Sequence, residues 1–446
     1  MEIVSFRTPG LGDQTHLLTH EGRGVLVDPQ RDIDRFLRAA AERDVELRFV
    51  LETHLHNDYV SGAEQAALRT GAELVLPAAA AAGYRYTPAF HLEEIDGQHG
   101  LSVRPIHTPG HTPEHTSYLV LIDGEPVAVF SGGSLLVASA GRPDLLGQAR
   151  ARTLATLQYG SLRRLAALPP EVGLFPTHGE GSFCSASGAG RYTSTIGEEI
   201  RTNPLLSIDD PERLADELLA APRPIPAFYA YVGPTNTLGV PPMPSTEVPE
   251  LSMTDLPEDA LVVDIRPRKA QAAGFLPGSV GIELGIDFGS WTGWLLPYQA
   301  PIVLVAERGQ DVAEAVTQLA QIGIDSVRGV VRDLGRAATA TFELVDLAAF
   351  VQRAAQPDAQ VLDVRMPSER DAVRLKGAVA RFLPELITDG IPAELDRDRP
   401  VLVACGSGRR AAIAATLLAR EGYQPVALGG AGIPDVVAAG TAAHVA

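Results

Sequence analysis

Cysteine is nearly absent from this chain of 446 residues, which has only Cys184 and Cys405. Two thiols cannot build a disulfide framework, so each is a free thiol whose reactivity is set by its surroundings. Lysine is equally scarce: Lys269 and Lys376 are the whole complement, and no basic block interrupts a formal net charge of −18. Nucleic acid and anionic membranes both require clustered cations, so neither is an expected partner. Apolar runs of about 20 residues, the length that spans a bilayer, are also missing. The opening Met-Glu-Ile-Val-Ser-Phe-Arg reads as a first strand and lacks the basic start and apolar middle of a secretion signal. A cytoplasmic location is therefore expected.

What is present is a globular composition, 45% hydrophobic and 21% charged. The chain is too long for one core; at about 100–200 residues per domain, two to four domains are expected. Residues 1–240 read as one mixed α/β domain. Apolar β segments occur at 25–28 (VLVD), 49–54 (FVLETH), 72–77 (AELVLP) and 117–123 (SYLVLID), and helical spacing of apolar residues appears at 32–43 and 151–168. A proline-rich stretch at 232–250 breaks both periodicities, and the linker is placed at 241–252.

Beyond the linker the chain repeats itself. LVVDIRPR (261–268) matches VLDVRMPS (361–368), and the segment at 302–325 matches that at 401–424. Two α/β units with central parallel sheets are expected, at 253–350 and 351–446. Each sets an apolar strand before a loop that opens a helix, where backbone N–H groups and the helix dipole favour an anion.

Histidines gather in three short loops. ETHLHNDYVSG holds His54, His56 and Asp58 directly after an apolar strand, IHTPGHTPEH holds His107, His111 and His115, and FPTHGEGS holds His178. Loops at strand ends are where metal ligands collect, and imidazoles with a carboxylate suit Zn, Fe or Mn better than Ca or Mg.

The run His54-x-His56-x-Asp58, the TPGH ending at His111 and the PTHG containing His178 resemble the metallo-β-lactamase superfamily in its glyoxalase II and persulfide dioxygenase branch. The resemblance covers about residues 1–240 and implies an αββα sandwich with a metal at one edge. In the dioxygenases it implies one Fe(II) on the first His of HxHxD, the His of TPGH and an Asp in a TGD segment. Here that segment is Ser131-Gly132-Gly133, so Gly133 replaces the expected Asp ligand, and Tyr59 replaces the usual His after Asp58. These departures argue against a binuclear hydrolytic site. The expectation is one Fe(II) or Zn(II) per chain on His54, His56 and His111, with Asp58, His115, Asp144 and His178 as supporting residues or substitute ligands. Restoring a carboxylate with Gly133→Asp is expected to tighten metal binding.

VLVACGSGRR sets Cys405 at the end of an apolar strand, before glycines, arginines and a helix. Loop N–H groups, a helix N-terminus and guanidinium groups all favour a thiolate, which can attack a sulfane sulfur and carry it to an acceptor. The loop resembles the rhodanese active loop C-x-x-G-x-R, matched by Cys405, Gly408 and Arg410. Asp363, Arg365 and Glu369 match the family's DVR segment, whose role is mostly structural. In the first repeat AERGQD replaces the loop, and Glu307 aligns with Cys405, so that unit is expected to carry no sulfur. Cys184 has no such cradle and reads as structural.

Together these features suggest an enzyme of sulfur metabolism, in which a persulfide dioxygenase-like metal domain is coupled to a sulfurtransferase using Cys405. The expected substrates are a small persulfide or thiosulfate, with a thiol or sulfite as acceptor; self-association as a homo-oligomer is left open. Two alternatives stand: a mononuclear zinc hydrolase of the glyoxalase II, thioester-cleaving type, and a metal-poor scaffold or sulfur sensor with sulfurtransferase activity only.

Overall fold

The computed structural model describes residues 1–185, 190–220 and 223–439. The last residues of the 351–446 unit, and the final Ala-Ser-Gly of the GEGSFCSASG segment that contains Cys184, lie outside the described residues. The chain forms two compact units, Met1–Pro244 with Ala320–Gly323, and Ser245–Leu319 with Ile324–Ala446. Among the described residues no helix is long and apolar enough to cross a membrane.

The first unit holds two six-stranded sheets. One runs in chain order through Glu2–Thr8, Asp13–His20, Arg23–Val27, Glu46–Leu51, Glu73–Pro77 and Thr87–Ala89; the other contains Ile95–Gln98, Leu101–His107, Thr116–Ile122, Glu125–Gly132, Gly173–Pro176 and Ser194–Thr195. Successive strand residues point to opposite faces. Thus Leu18, Val25, Val27, Phe49 and Leu51 meet Val103, Tyr118, Val120 and Phe130 between the sheets. Leu17, Leu26 and Val50 instead pack outward on Phe36 and on the alanines of the helices Asp34–Glu42 and Ala63–Thr70. On the far side Leu119, Leu121 and Val129 pack on Leu162 and Leu165 of the helix Gln148–Ala166. Both faces of the central strands are buried, which explains why they read as unbroken apolar runs. The four layers are the expected αββα sandwich.

The second unit contains two parallel sheets. In the first repeat the strand order is Val280–Gly281, Leu261–Asp264, Ile302–Val305, Val327–Val331. The second repeat has the corresponding order Val379–Ala380, Gln360–Asp363, Pro400–Ala404, Gln424–Leu428, with Glu343–Val345 added at the edge beside Gln424–Leu428. Sheet register corrects one alignment made from the sequence. Val305 pairs with Asp264, and Ala404 pairs with Asp363. The next residues, Ala306 and Cys405, are therefore equivalent, both wholly buried, while Glu307 lies one position further on and is exposed. Gly309 and Gly408 share the left-handed backbone, with φ of +81° and +84°, so the turn persists where the thiol is gone.

The proline-rich stretch also differs from its sequence reading. A helix, Tyr229–Leu238, runs into it with Pro234 inside. What fixes this helix is Asn236, fully buried, whose Nδ2 donates to the carbonyls of His56 and Tyr59, each at 2.8 Å, and whose Oδ1 accepts from Ser61 N–H at 2.9 Å. One amide thereby satisfies three backbone groups of the loop that carries the histidines. Truncation would orphan all three away from water. Asn236→Ala is expected to destabilise the first unit by about 3 kcal/mol, measured by chemical denaturation; a loss below about 0.5 kcal/mol would show that the loop is held by something else.

Candidate metal centre and thiol loop

The strand Glu46–Leu51 delivers Thr53 and His54 to the edge of the sandwich. Thr53 N–H and Oγ1–H both donate to Asp28, at 2.7 Å each. With its proton committed there, the Thr53 hydroxyl accepts from His54 Nδ1 at 2.9 Å, which leaves His54 Nε2 with a free lone pair. His111 is set in the same way: its Nδ1–H donates to the Arg142 carbonyl at 2.8 Å. His178 gives Nδ1–H to Asp13 Oδ1 at 2.9 Å. One ring nitrogen from each of His54, His111 and His178 lies within 4.8 Å of the others, and the Nε2 atoms of His54 and His178 are 3.4 Å apart.

Burial pushes the His54 and His111 imidazoles well below the ordinary histidine range, and neighbouring histidines push them the same way. Converging neutral imidazoles, each with its other nitrogen tied to an oxygen, are the donor set that a divalent transition metal takes. The residues present therefore fit a metal: His54, His111 and His178 converge, and His56 belongs to two further groups of donors close enough to share an ion.

His56 stands beside His54, with ring centroids 4.0 Å apart, and has acidic neighbours of its own. Its Nε2 lies 3.3 Å from Asp28 Oδ1 and 3.2 Å from Glu52 Oε2, its Nδ1 is 3.8 Å from Asp58, and its ring stacks on Tyr59 at 4.3 Å. Burial alone would lower its pKa, but Asp28 and Glu52 carry it well above the ordinary value. Its donor-bearing neighbours form two further groups, His56–Asp58–His178 and Asp28–Glu52–His56.

Asp58 stands beside His178, 3.3 Å from Nδ1, and accepts the Cys184 thiol proton at 3.3 Å. Burial and the adjacent Asp13 raise its carboxyl to about 6. Cys184 is thus placed at the edge of the histidine cluster, with the Tyr229 hydroxyl 3.5 Å from its sulfur. Burial, then Asp58 and Asp13, push this thiol well above its usual pKa.

The two proposed substitutes for the missing carboxylate are engaged elsewhere. His115 accepts the Gly133 N–H at Nε2, 2.9 Å, and meets Thr108 Oγ1 at Nδ1, 2.9 Å; burial lowers its pKa to about 3. Asp144 is held by Arg142 through contacts of 3.0 and 2.7 Å, and so steadies the residue whose carbonyl orients His111. At Gly133 a Cβ would run into the His111 ring. The expected gain from Gly133→Asp is corrected accordingly: a carboxylate there has to displace His111 before it can serve a metal.

In the second unit, Cys405 is wholly buried at the end of Pro400–Ala404, and Gly408 N–H donates to its sulfur at 3.1 Å. The left-handed φ of +84° at Gly408 turns that N–H into the loop and opens the helix Arg409–Arg420. Arg410 forms a two-point pair with Glu369, at 2.6 and 2.7 Å. Arg365, also buried, pairs with Asp363 and caps the carbonyls of Glu369 and Val373. The loop is therefore braced by two Arg–carboxylate pairs, and Arg410 acts on it from a fixed position.

Sequence reading did not single out Asp13, Asp28, Glu52, Thr53 or Asn236. Their partners are non-local: His178 lies 165 positions from Asp13, and His56 lies 180 from Asn236. The local cue in reach was Asp28 itself, a carboxylate closing the apolar VLVD strand.

Residues 10–178 match the metallo-beta-lactamase superfamily, and residues 346–439 match the rhodanese-like domain. A hydroxyacylglutathione hydrolase from Cereibacter sphaeroides is 31% identical over 237 residues, covering 46% of this chain and 87% of that protein. A probable metallo-hydrolase from Burkholderia pseudomallei is 28% identical over 242 residues, covering 46% and 80%. The solved structure of a metallo-beta-lactamase from Staphylococcus aureus superposes with a TM-score of 0.67 at 27% identity, covering 74% of this chain and 99% of that one. With its sandwich, its edge-clustered histidines and its glycine-turned thiol loop, the chain belongs to the metallo-beta-lactamase superfamily and carries a rhodanese-like domain after the sandwich.

Proposed function

We propose that the protein is an enzyme of sulfur metabolism whose metal centre acts on a thiol-derived substrate, a small persulfide, and whose Cys405 carries sulfane sulfur. The observation that carries this reading is the Gly408 N–H set on the Cys405 sulfur, in the same chain as a cluster of neutral imidazoles. His54, His111 and His178 would hold one divalent iron or zinc. Such an ion supplies Lewis acidity to a sulfur-bearing substrate and, as iron, the one-electron chemistry that O₂ requires. The chain's own residues do the rest. Thr53, Arg142 and Asp13 hold the three imidazoles in one tautomer, and the sandwich edge keeps them dry. In the thiol loop, backbone N–H groups receive the negative sulfur of a thiolate or persulfide.

A second reading has a specific observation behind it. Three imidazoles without a carboxylate suit zinc and hydrolysis of a thioester, the class of bond named in the hydroxyacylglutathione hydrolase relatives. Protein produced with iron and zinc both available separates the two: iron with O₂ uptake on glutathione persulfide supports the first, zinc with cleavage of a hydroxyacyl glutathione thioester the second. Protein that holds neither metal overturns both.

The ligand assignment gives a graded expectation. His111→Ala and His178→Ala should each empty the site, whereas Asp13→Ala should weaken metal affinity by about 10–100-fold, as loss of a residue that orients a ligand does. Full metal occupancy in His178→Ala would sink the assignment, and elemental analysis decides it.

For the thiol, Cys405→Ser is expected to abolish cyanide-labile sulfur on the protein while metal content stays at the wild-type level. Arg410→Ala should lower sulfur loading, because Glu369 would then stand unpaired beside the loop. Mass spectrometry that finds the labelled sulfur on Cys184 would overturn the role given to Cys405.

A further inference from the structure

The thiol loop is not built by its own repeat alone. Arg268, in the cysteine-free repeat, brings Nη1 to 3.2 Å from where a side chain at Gly408 would begin, and Gly408 is the residue whose N–H meets Cys405. Its Nε is held by Glu283 at 2.6 Å. Arg409 reaches back the other way. Its Nη1 meets Asp287 Oδ1 at 2.5 Å, and its guanidinium lies so close over Gly285 that a side chain there would collide with it. Trp291 Nε1–H donates to the second Asp287 oxygen at 3.1 Å and so aims the carboxylate; its ring also lies 5.6 Å from the Arg410 guanidinium carbon.

These arginines differ in what they can offer. Arg410 has both Nη atoms committed to Glu369 and only 12% of its side chain exposed. Arg268 and Arg409 each meet a carboxylate through one nitrogen and keep 19% and 36% of the side chain exposed. A guanidinium has five N–H donors in a planar fork that matches oxyanions. On a chain of net charge −18, an anionic sulfur donor needs such local cations to approach the thiol.

We propose that the cysteine-free repeat supplies the anion-binding half of the Cys405 site. Arg268 and Arg409 bind the sulfonate end of a small sulfur oxyanion such as thiosulfate, and Asp287 sets the affinity by competing for Arg409. The proposal rests on the reading of Cys405 as the sulfur-carrying thiol. In the transfer, the Cys405 thiolate forms an S–S bond to the outer sulfur of thiosulfate. The bond between that sulfur and the sulfonate breaks, and sulfite leaves with the electron pair. Cyanide then takes the outer sulfur as thiocyanate and returns the thiolate.

The test follows thiocyanate formation by the full-length protein with two donors, thiosulfate and an uncharged organic trisulfide. Arg268→Gln is expected to raise the KM for thiosulfate about tenfold, the equivalent of one charge-assisted hydrogen bond, with kcat and the KM for the trisulfide nearly unchanged. Asp287→Asn should shift the thiosulfate KM downward, because Arg409 is released to the anion, and Trp291→Phe should move it the same way by less. A purely structural role would disturb both donors alike, so equal KM changes for the two, or thiosulfate KM values unchanged across all three variants, overturn the inference while leaving Cys405 as the carrier. Wild-type protein that takes sulfur from neither donor overturns the Cys405 reading, and this inference with it.

Discussion

The carboxylate of Asp28 joins the two sheets of the sandwich at the edge where the histidines meet. It accepts from Thr53 N–H and Thr53 hydroxyl, which follow a strand of the first sheet, and from the hydroxyl of Thr177, which follows a strand of the second. His56 faces its remaining side. A wholly buried charge is costly unless it is paired and hydrogen-bonded. Here burial raises the Asp28 carboxyl, but His56, Thr177 and Thr53 together bring it down to about 2. The price of ionising Asp28 inside the protein is thus met by groups that also place His54 and His178. Asp28 itself sits at φ +52°, a backbone conformation uncommon outside glycine, held by the packing around it.

Much of this was legible in the sequence because the relevant information is local. Apolar strands at 25–28, 49–54 and 117–123 lie within or beside the strands Arg23–Val27, Glu46–Leu51 and Thr116–Ile122. The duplicated segments fold into sheets of corresponding order. The three histidine loops do converge, and the Cys405 loop has the glycine turn that its pattern implied. What the sequence could not give is which nitrogen of which ring faces inward. That depends on acceptors such as Asp13 and the Arg142 carbonyl, placed by strands far away along the chain. For the same reason His56, inseparable from His54 by spacing, is drawn to Asp28 and Glu52. The one-residue slip between Glu307 and Ala306 has another origin: the VLVA runs at 303–306 and 401–404 match letter for letter, whereas strand pairing sets Val305 beside Asp264 and Ala404 beside Asp363, one residue out of step.

The two thiols make a controlled comparison, since both are fully buried. Cys405 meets a backbone N–H at the mouth of a helix, whereas Cys184 gives its proton to a carboxylate and lies among acidic groups. The two sulfurs thus differ in their nearest partner: an N–H donates to Cys405, whereas Cys184, kept neutral first by burial and then by Asp58 and Asp13, is itself the donor.

At position 133 a hydrogen atom stands where the resemblance implied a carboxylate, and the ring of His111 fills the space beside it. The converging donors His54, His111 and His178 are consequently all uncharged. A dication held by three neutral rings would keep its full double charge, where a carboxylate in the set would have cancelled half of it. Such a centre would discriminate by valence, retaining an anionic sulfur ligand more firmly than a neutral one.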